Sequence, residues 1–118
     1  TPSEVVAHLQ FAINAERWKD VAENYASDAF ILADQGILFG HADIIASHQS
    51  LVELFNGVDP QIKHVTVFRD TVRVLYSLDA GWVVMPDGVD TYVVEKGVIT
   101  RQTSHGHIEF TGPPPDQQ

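Results

Sequence analysis

The N-terminal half of the chain places hydrophobic side chains at the three- and four-residue spacing of amphipathic helices. The first stripe consists of Val6, Leu9 and Ile13, and the capping-box sequence TPSE at residues 1–4 precedes it. A second stripe covers residues 18–25. A third covers residues 44–55, before Asn56-Gly57, where glycine can adopt the left-handed cap. The pattern predicts three helices.

After residue 61 the hydrophobic period changes to two, which is typical of half-buried β-strands. Strands are predicted around residues 65–67 and 72–74 and over residues 82–85, 89–94 and 98–110, with turns at 78–81, 86–88 and 95–97. One earlier strand, residues 29–33, ends at the Asp34-Gln35-Gly36 turn. The predicted fold class is therefore α+β, with three N-terminal helices on one face of a curved, mostly antiparallel sheet.

Composition and charge argue against nucleic-acid and membrane partners. With 118 residues and no cysteine, we expect one domain over residues 1–110 and a disordered Pro-rich tail over residues 111–118. The net charge of −9 repels nucleic acid and anionic membrane surfaces, and the basic residues are scattered. No apolar run approaches the length of a membrane span. The expectation is a cytoplasmic protein with no nucleic-acid or membrane partner.

Four segments carry a resemblance to a known superfamily: NYASDA at residues 24–29, DQG at 34–36, GHADII at 40–45 and DTYVVEKGVI at 90–99. Together with the order of the predicted elements, they resemble the nuclear transport factor 2-like superfamily, and most of all its SnoaL-like and ketosteroid-isomerase-like branch. The resemblance extends up to about Glu109. It implies a cone-shaped, cystatin-like roll that holds a small hydrophobic ligand in a conical pocket and pairs into homodimers.

Ketosteroid isomerases move a proton with an Asp base and stabilise the dienolate with a Tyr and a protonated Asp. The resemblance places the protonated Asp at Asp90, and the positions of two supporting Tyr residues of the family fall on Tyr25 and His48. The phenol of the first helix falls on Leu9, so this hydrogen-bond donor is missing. The base, counted without a gap from Tyr25, falls on Ala33, with Asp34 one residue later. The isomerase set is therefore incomplete.

Three of these residues have two interpretations each. Asp90 and Tyr92 share one strand face, which by the resemblance faces the pocket. Burial there would raise the pKa of Asp90 and suit it to proton exchange. In the alternative interpretation, Asp90 faces solvent after the turn at residues 86–88. His48 interrupts an aliphatic stripe, so it points inward, either as a core histidine or as a hydrogen-bond partner of Asp90 or the substrate. Asp34 is the general base if a bulge redirects it, and otherwise a turn residue.

The remaining candidates line the pocket or the opposite face of the sheet. By strand parity with the family, Gln102 and Ser104 face the pocket, whereas His105 and His107 lie on the opposite face. The two imidazoles have a spacing compatible with metal ligands, but catalytic zinc usually needs three, so we expect interface or solvated histidines and no metal site. The predicted substrate-binding residues are Leu9, Trp18, Tyr25, Phe55, Tyr92, Gln102 and Ser104.

Two functional hypotheses follow from these residues. The leading one is a cofactor-free isomerase or cyclase-type enzyme that abstracts and returns a proton on a small hydrophobic carbonyl compound. Asp90 and His48 would manage the oxyanion, and Asp34 would be the base. The alternative is a non-catalytic module of the same fold that binds a hydrophobic ligand or a partner. Leu9 and Ala33 favour the module, and Asp90 with His48 favours the enzyme.

Overall fold

The computed structural model describes residues 1–117 and contains the three predicted helices: α1 (Pro2–Asn14), α2 (Trp18–Glu23) and α3 (Gly40–Leu54). At the start of α1, Thr1 and Glu4 form the predicted capping box, which satisfies backbone N–H groups that a helix start leaves unpaired. Asn56 and Gly57 follow α3 in the left-handed conformation, as the sequence predicted.

Seven strands form one sheet: β1 (Tyr25–Ala33), β2 (Gly36–Phe39), β3 (Gln61–Phe68), β4 (Thr71–Asp79), β5 (Val83–Glu95), β6 (Val98–His105) and β7 (Glu109–Phe110). The strand order is β2-β1-β6-β5-β4-β3, and β7 pairs with β5. All these pairs are antiparallel except β1 with β6, which is parallel. Three helices packed on a curved, mostly antiparallel sheet confirm the predicted α+β class.

Four local predictions were wrong. The strand predicted over residues 98–110 is interrupted after His105, before the short strand β7. Tyr25 opens β1 instead of closing the second helix, because the chain pairs there with β6. Strand β2 was missed, since its four residues, which start at Gly36 and end before Gly40, are too few to show a period. The predicted turn at residues 86–88 lies inside β5, where the register with β4 shifts between Tyr76 and Leu78. A bulge there keeps the strand paired while it bends.

The hydrophobic core lies between the helices and the inner face of the sheet. Leu9 of α1, Val21 of α2 and Ile44 of α3 are fully buried there. Strand β4 contributes every second side chain from Val72 to Leu78, which is the two-residue alternation of a half-buried strand. This packing fixes the inner face of the sheet, and the candidate site is built on that face.

The chain beyond β6 stays attached to the sheet through β7. The backbone N–H of Thr111 donates to the Trp82 carbonyl, and its hydroxyl donates to the Gly81 carbonyl. Pro115–Gln117 form a 3-10 turn, and Gln118 lies outside the described residues. The domain boundary at residue 110 and the disorder of the tail remain predictions. Among residues 1–117, no helix has the length and apolar character needed to cross a membrane.

Candidate active site

A cavity of about 850 Å³ lies between α1, α3 and the inner face of the sheet, where the conical pocket was predicted. Its volume is within the range of small-molecule sites, about 300–1,000 Å³. Most of its wall is apolar and consists of Ile13, Ile31, Leu38, Leu51, Leu54, Phe55, Val58, Ile62, Leu78, Met85 and Ile108. A few polar side chains interrupt this wall, and they carry the chemistry of the site.

Strand register brings four of these polar side chains together on the sheet side of the cavity. Strands β5 and β6 pair Asp90 with Ser104 and Tyr92 with Gln102. Directly paired side chains on one sheet face have Cβ atoms about 4.5–5.5 Å apart. All four residues border the cavity, which is the location that the sequence predicted for them.

Asp90 is the buried carboxylate of this group, with 9% of its surface exposed. Three hydroxyls donate hydrogen bonds to it: Ser104 Oγ to Oδ1 at 2.6 Å, Tyr92 Oη to Oδ2 at 3.1 Å and Tyr76 Oη to Oδ1 at 3.4 Å. Burial raises the pKa of Asp90 to about 6, and the three hydrogen bonds offset part of this effect. Asp90 can therefore exchange a proton near neutral pH.

Tyr76 is the member of this group that the sequence analysis missed. It lies on the same face of β4 as Val72, Val74 and Leu78, so extending that stripe by one position would have found it. Its cross-strand partner is Gly88. A Cβ atom at residue 88 would lie 2.5 Å from carbon atoms of the Tyr76 ring, so only glycine allows this ring position.

A second network joins α3 to the sheet through the hydroxyl of Tyr25. Tyr25 Oη donates to Gln102 Oε1 at 2.6 Å and lies 3.2 Å from His48 Nε2. His48 and Gln102 both border the cavity, whereas Tyr25 lies behind them and does not, contrary to its predicted substrate contact. Burial lowers the pKa of His48 to about 4, so the ring is neutral at pH 7. The hydrogen bond of His48 goes to Tyr25 and not to Asp90.

Asp34 and His105 lie at the mouth of the cavity. Asp34 accepts hydrogen bonds from His105 Nδ1 at 2.7 Å and from the Gly106 N–H at 3.1 Å. Both hydrogen bonds lower the pKa of Asp34, and the one from His105 has the larger effect. The same hydrogen bond between Asp34 and His105 raises the pKa of His105. Asp34 is thus an exposed, ionised carboxylate at the rim. His105 keeps the predicted strand parity, since it is still paired with Val89 on the face opposite to Ser104, and its ring contacts Asp34 at the end of β6.

Two predicted substrate contacts lie elsewhere in the structure. Leu9 is fully buried in the core and does not border the cavity. Trp18 borders a separate shallow groove between α2 and the end of α3. Both residues have hydrophobic helical spacing, which core and pocket residues share. Phe55, by contrast, is buried and does border the cavity. His107 lies outside the cavity, 3.5 Å from a Glu109 carboxylate oxygen.

The fold is shared with several solved structures. An NTF2-like protein of unknown function from Cytophaga hutchinsonii is 14% identical, with a TM-score of 0.75 over 91% of this chain and 90% of that chain. A Kribbella flavida protein provisionally named a ketosteroid isomerase is 20% identical, with a TM-score of 0.76 over 97% and 82%. A Sinorhizobium meliloti protein provisionally named a polyketide cyclase is 15% identical, with a TM-score of 0.71 over 86% and 93%.

These likenesses establish that the chain has the nuclear transport factor 2-like fold. No protein-family model and no curated protein sequence matches the chain. Identities of 14–20% relate the fold alone, and one fold can carry many activities. The function must therefore be argued from the side chains that border the cavity.

Proposed function

We propose that the protein is an enzyme of the isomerase or cyclase type that moves a proton on a small, hydrophobic, uncharged carbonyl compound. The observation that carries this proposal is Asp90, a buried carboxylate with a pKa of about 6 that borders an apolar cavity. Perturbed carboxylates in apolar clefts are frequent acid–base groups. The ketosteroid isomerase and polyketide cyclase names of two structures with this fold agree with such a reaction.

The base role belongs to Asp90 rather than to Asp34, which the sequence hypothesis preferred. Asp34 lies at the rim, already paired with His105, and its pKa is lowered. Asp90 is buried and its pKa of about 6 is closer to neutral pH, which is the better match for proton transfer. Its carboxylate takes the α-proton of the ketone, and the electrons of the C–H bond move to the carbonyl oxygen as an enolate. The carboxylic acid then returns the proton.

The charge of the cavity wall supports an uncharged substrate. Along the described chain, the cavity lining includes the carboxylates of Asp34, Asp43 and Asp90 but no Lys or Arg. A carboxylate or phosphate on the substrate would therefore meet repulsion with no Lys or Arg to pair with it. A neutral ketone avoids this cost.

The test is α-proton exchange in D₂O, because it detects proton abstraction without knowledge of the final product. We expect the protein to accelerate the exchange of 2-tetralone, followed by NMR, above the rate in buffer alone. The rate should rise with pH through about 6 and then level off, because only ionised Asp90 accepts a proton. Asp90→Asn should lower the rate by about 10²–10⁴-fold.

Asp28→Asn is the matched control, because Asp28 is exposed on β1, outside the cavity lining. It should exchange at the wild-type rate. Unchanged exchange in Asp90→Asn would remove Asp90 from the reaction. Binding of 2-tetralone without any exchange would favour the alternative hypothesis, a non-catalytic ligand-binding module.

We further propose that the protein is a homodimer formed through the outer sheet face. Thr91, Val93, Arg101 and Thr103 lie on this face and are partly or fully exposed, and the neighbouring Phe68 is 70% exposed. An isologous dimer would cover these side chains. Sedimentation should give about 26 kDa, twice the chain mass of 13.1 kDa, and Val93→Glu should reduce it to the monomer. A wild-type monomer at micromolar concentration would contradict the proposal.

The cytoplasmic location remains a prediction.

A further inference from the structure

The hydroxyl of Tyr25 determines which polar atoms His48 and Gln102 present to the cavity. A phenol has one proton, and Tyr25 donates it to Gln102 Oε1, which can only accept. In the contact with His48 Nε2, the phenol oxygen is therefore the acceptor and Nε2 carries the proton. The ring is neutral, so Nδ1 keeps a free lone pair.

Two atoms of this network remain unpaired within residues 1–117: His48 Nδ1 and Gln102 Nε2. Neither atom makes a hydrogen bond to the protein. Neither atom is fully buried either, so each keeps some exposed surface. Both residues border the cavity. Gln102 thus offers N–H donors to a ligand, and His48 offers an acceptor.

The hydroxyls around Asp90 cannot supply these donors. Tyr76, Tyr92 and Ser104 each direct their single proton to the Asp90 carboxylate. While Asp90 is ionised, no proton of these three hydroxyls is left for a ligand oxygen. Gln102 lies opposite Tyr92, on the strand that neighbours Asp90. A carbonyl oxygen held by Gln102 can therefore belong to the same ligand whose α-carbon lies near Asp90.

We propose that Gln102 and His48 form a ligand-binding pair whose polarity Tyr25 sets: Gln102 Nε2 donates to a carbonyl oxygen, and His48 Nδ1 accepts from a ligand hydroxyl. The inference deepens the proposed function, on which it rests for the carbonyl substrate. It assigns a ligand that carries a carbonyl and a hydroxyl group on one apolar body. In the reaction, Gln102 stabilises the enolate oxygen, in place of the phenol that is absent at Leu9. Tyr25 is a positioning residue.

The first test reads the tautomer of His48 by ¹⁵N NMR at pH 7, with the His48 signals assigned by their loss in His48→Gln. The wild-type protein should show the Nε2–H tautomer. In Gln102→Met the Tyr25 proton loses its acceptor and turns to His48, so the tautomer should switch to Nδ1–H. In Tyr25→Phe the preference should disappear. Tyr76→Phe, the matched control, removes a hydroxyl from Asp90 and should leave His48 unchanged.

An Nδ1–H tautomer in the wild-type protein would overturn the proposal, because the polarity of the pair would then be reversed. A tautomer that does not respond to Tyr25→Phe would also overturn it. If Gln102→Met does not fold, Tyr25→Phe still decides, since it removes only one oxygen atom. None of these readouts requires turnover, so they separate this inference from the proposed reaction.

The second test compares the binding of three naphthalene probes by calorimetry. The wild-type protein should bind 2-acetylnaphthalene and 2-naphthol about five- to tenfold more tightly than 2-methylnaphthalene, which makes no hydrogen bond. Gln102→Met should lower the preference for 2-naphthol, since the reversed His48 no longer accepts the hydroxyl proton, whereas the Nδ1–H of the reversed ring can still donate to 2-acetylnaphthalene. Equal binding of all three probes to the wild-type protein would contradict the pair. Absent α-proton exchange together with these preferences would refute the proposed reaction alone.

Discussion

The substitutions Asp90→Asn and His48→Gln should change the slope of the free energy of unfolding against pH in opposite directions between pH 4 and 7. Burial raises the pKa of Asp90 from 3.8 to about 6, so the fold favours its neutral form. The stability contributed by Asp90 is complete below pH 3.8 and is lost as the pH rises to 6. Burial lowers the pKa of His48 from 6.5 to about 4. The stability contributed by His48 is complete above pH 6.5 and is lost as the pH falls to 4.

The size of the effect follows from the pKa of each group in the folded and unfolded chain. A change from 3.8 to about 6 corresponds to about 3 kcal/mol for Asp90. The value for His48 is smaller than its pKa alone suggests, because its ring borders the open cavity. In the wild-type protein the two contributions oppose each other, and the curve should be shallow over this range.

Urea denaturation at pH 4, 5, 6 and 7 measures these slopes. Relative to the wild-type protein, Asp90→Asn should gain about 3 kcal/mol between pH 4 and 7, whereas His48→Gln should lose stability over the same range. The exposed residues Asp28 and His64 provide matched controls, since Asp28→Asn and His64→Gln should run parallel to the wild-type curve. Parallel curves for all four variants would mean that neither Asp90 nor His48 is buried in the folded protein.

The sequence predicted the part of the site that depends on strand parity. Residues two apart on a strand share a face whatever the rest of the fold does, so Asp90 with Tyr92 and Gln102 with Ser104 could be placed before the structure was known. The same rule covers Tyr76, which was missed only because its stripe was not followed far enough. The α+β class followed from the change of hydrophobic period near residue 61.

The hydrogen-bond partners could not be predicted, because they join residues that are distant along the chain. The pairs Tyr25 with Gln102 and Asp34 with His105 are separated by 77 and 71 residues. Parity places His105 on the face opposite to Ser104, but it does not show that the ring lies beside Asp34 at the end of β6. Tyr25 leaves the helix because β6 offers a parallel strand to pair with, which no local pattern encodes. The polarity of the site depends on these contacts.

The predicted substrate contact of Leu9 was wrong because helical spacing identifies the buried face of a helix but does not distinguish core residues from pocket residues. Leu9→Ala should lower the free energy of unfolding by about 2–5 kcal/mol, since the fully buried side chain leaves a cavity that its neighbours cannot fill. Leu32→Ala removes the same atoms from a side chain that is 47% exposed, and it should cost much less. Urea denaturation of both variants at pH 7 measures the difference.

Ligand binding separates the core role of Leu9 from the substrate contact that the resemblance implied. At a temperature where Leu9→Ala is still folded, its affinity for 2-acetylnaphthalene should equal that of the wild-type protein, because Leu9 does not border the cavity. Phe55→Ala provides the contrast: Phe55 is buried and also lines the cavity, so stability and affinity should both fall. A stable Leu9→Ala protein with weakened binding would place Leu9 against the ligand and contradict its position in the core.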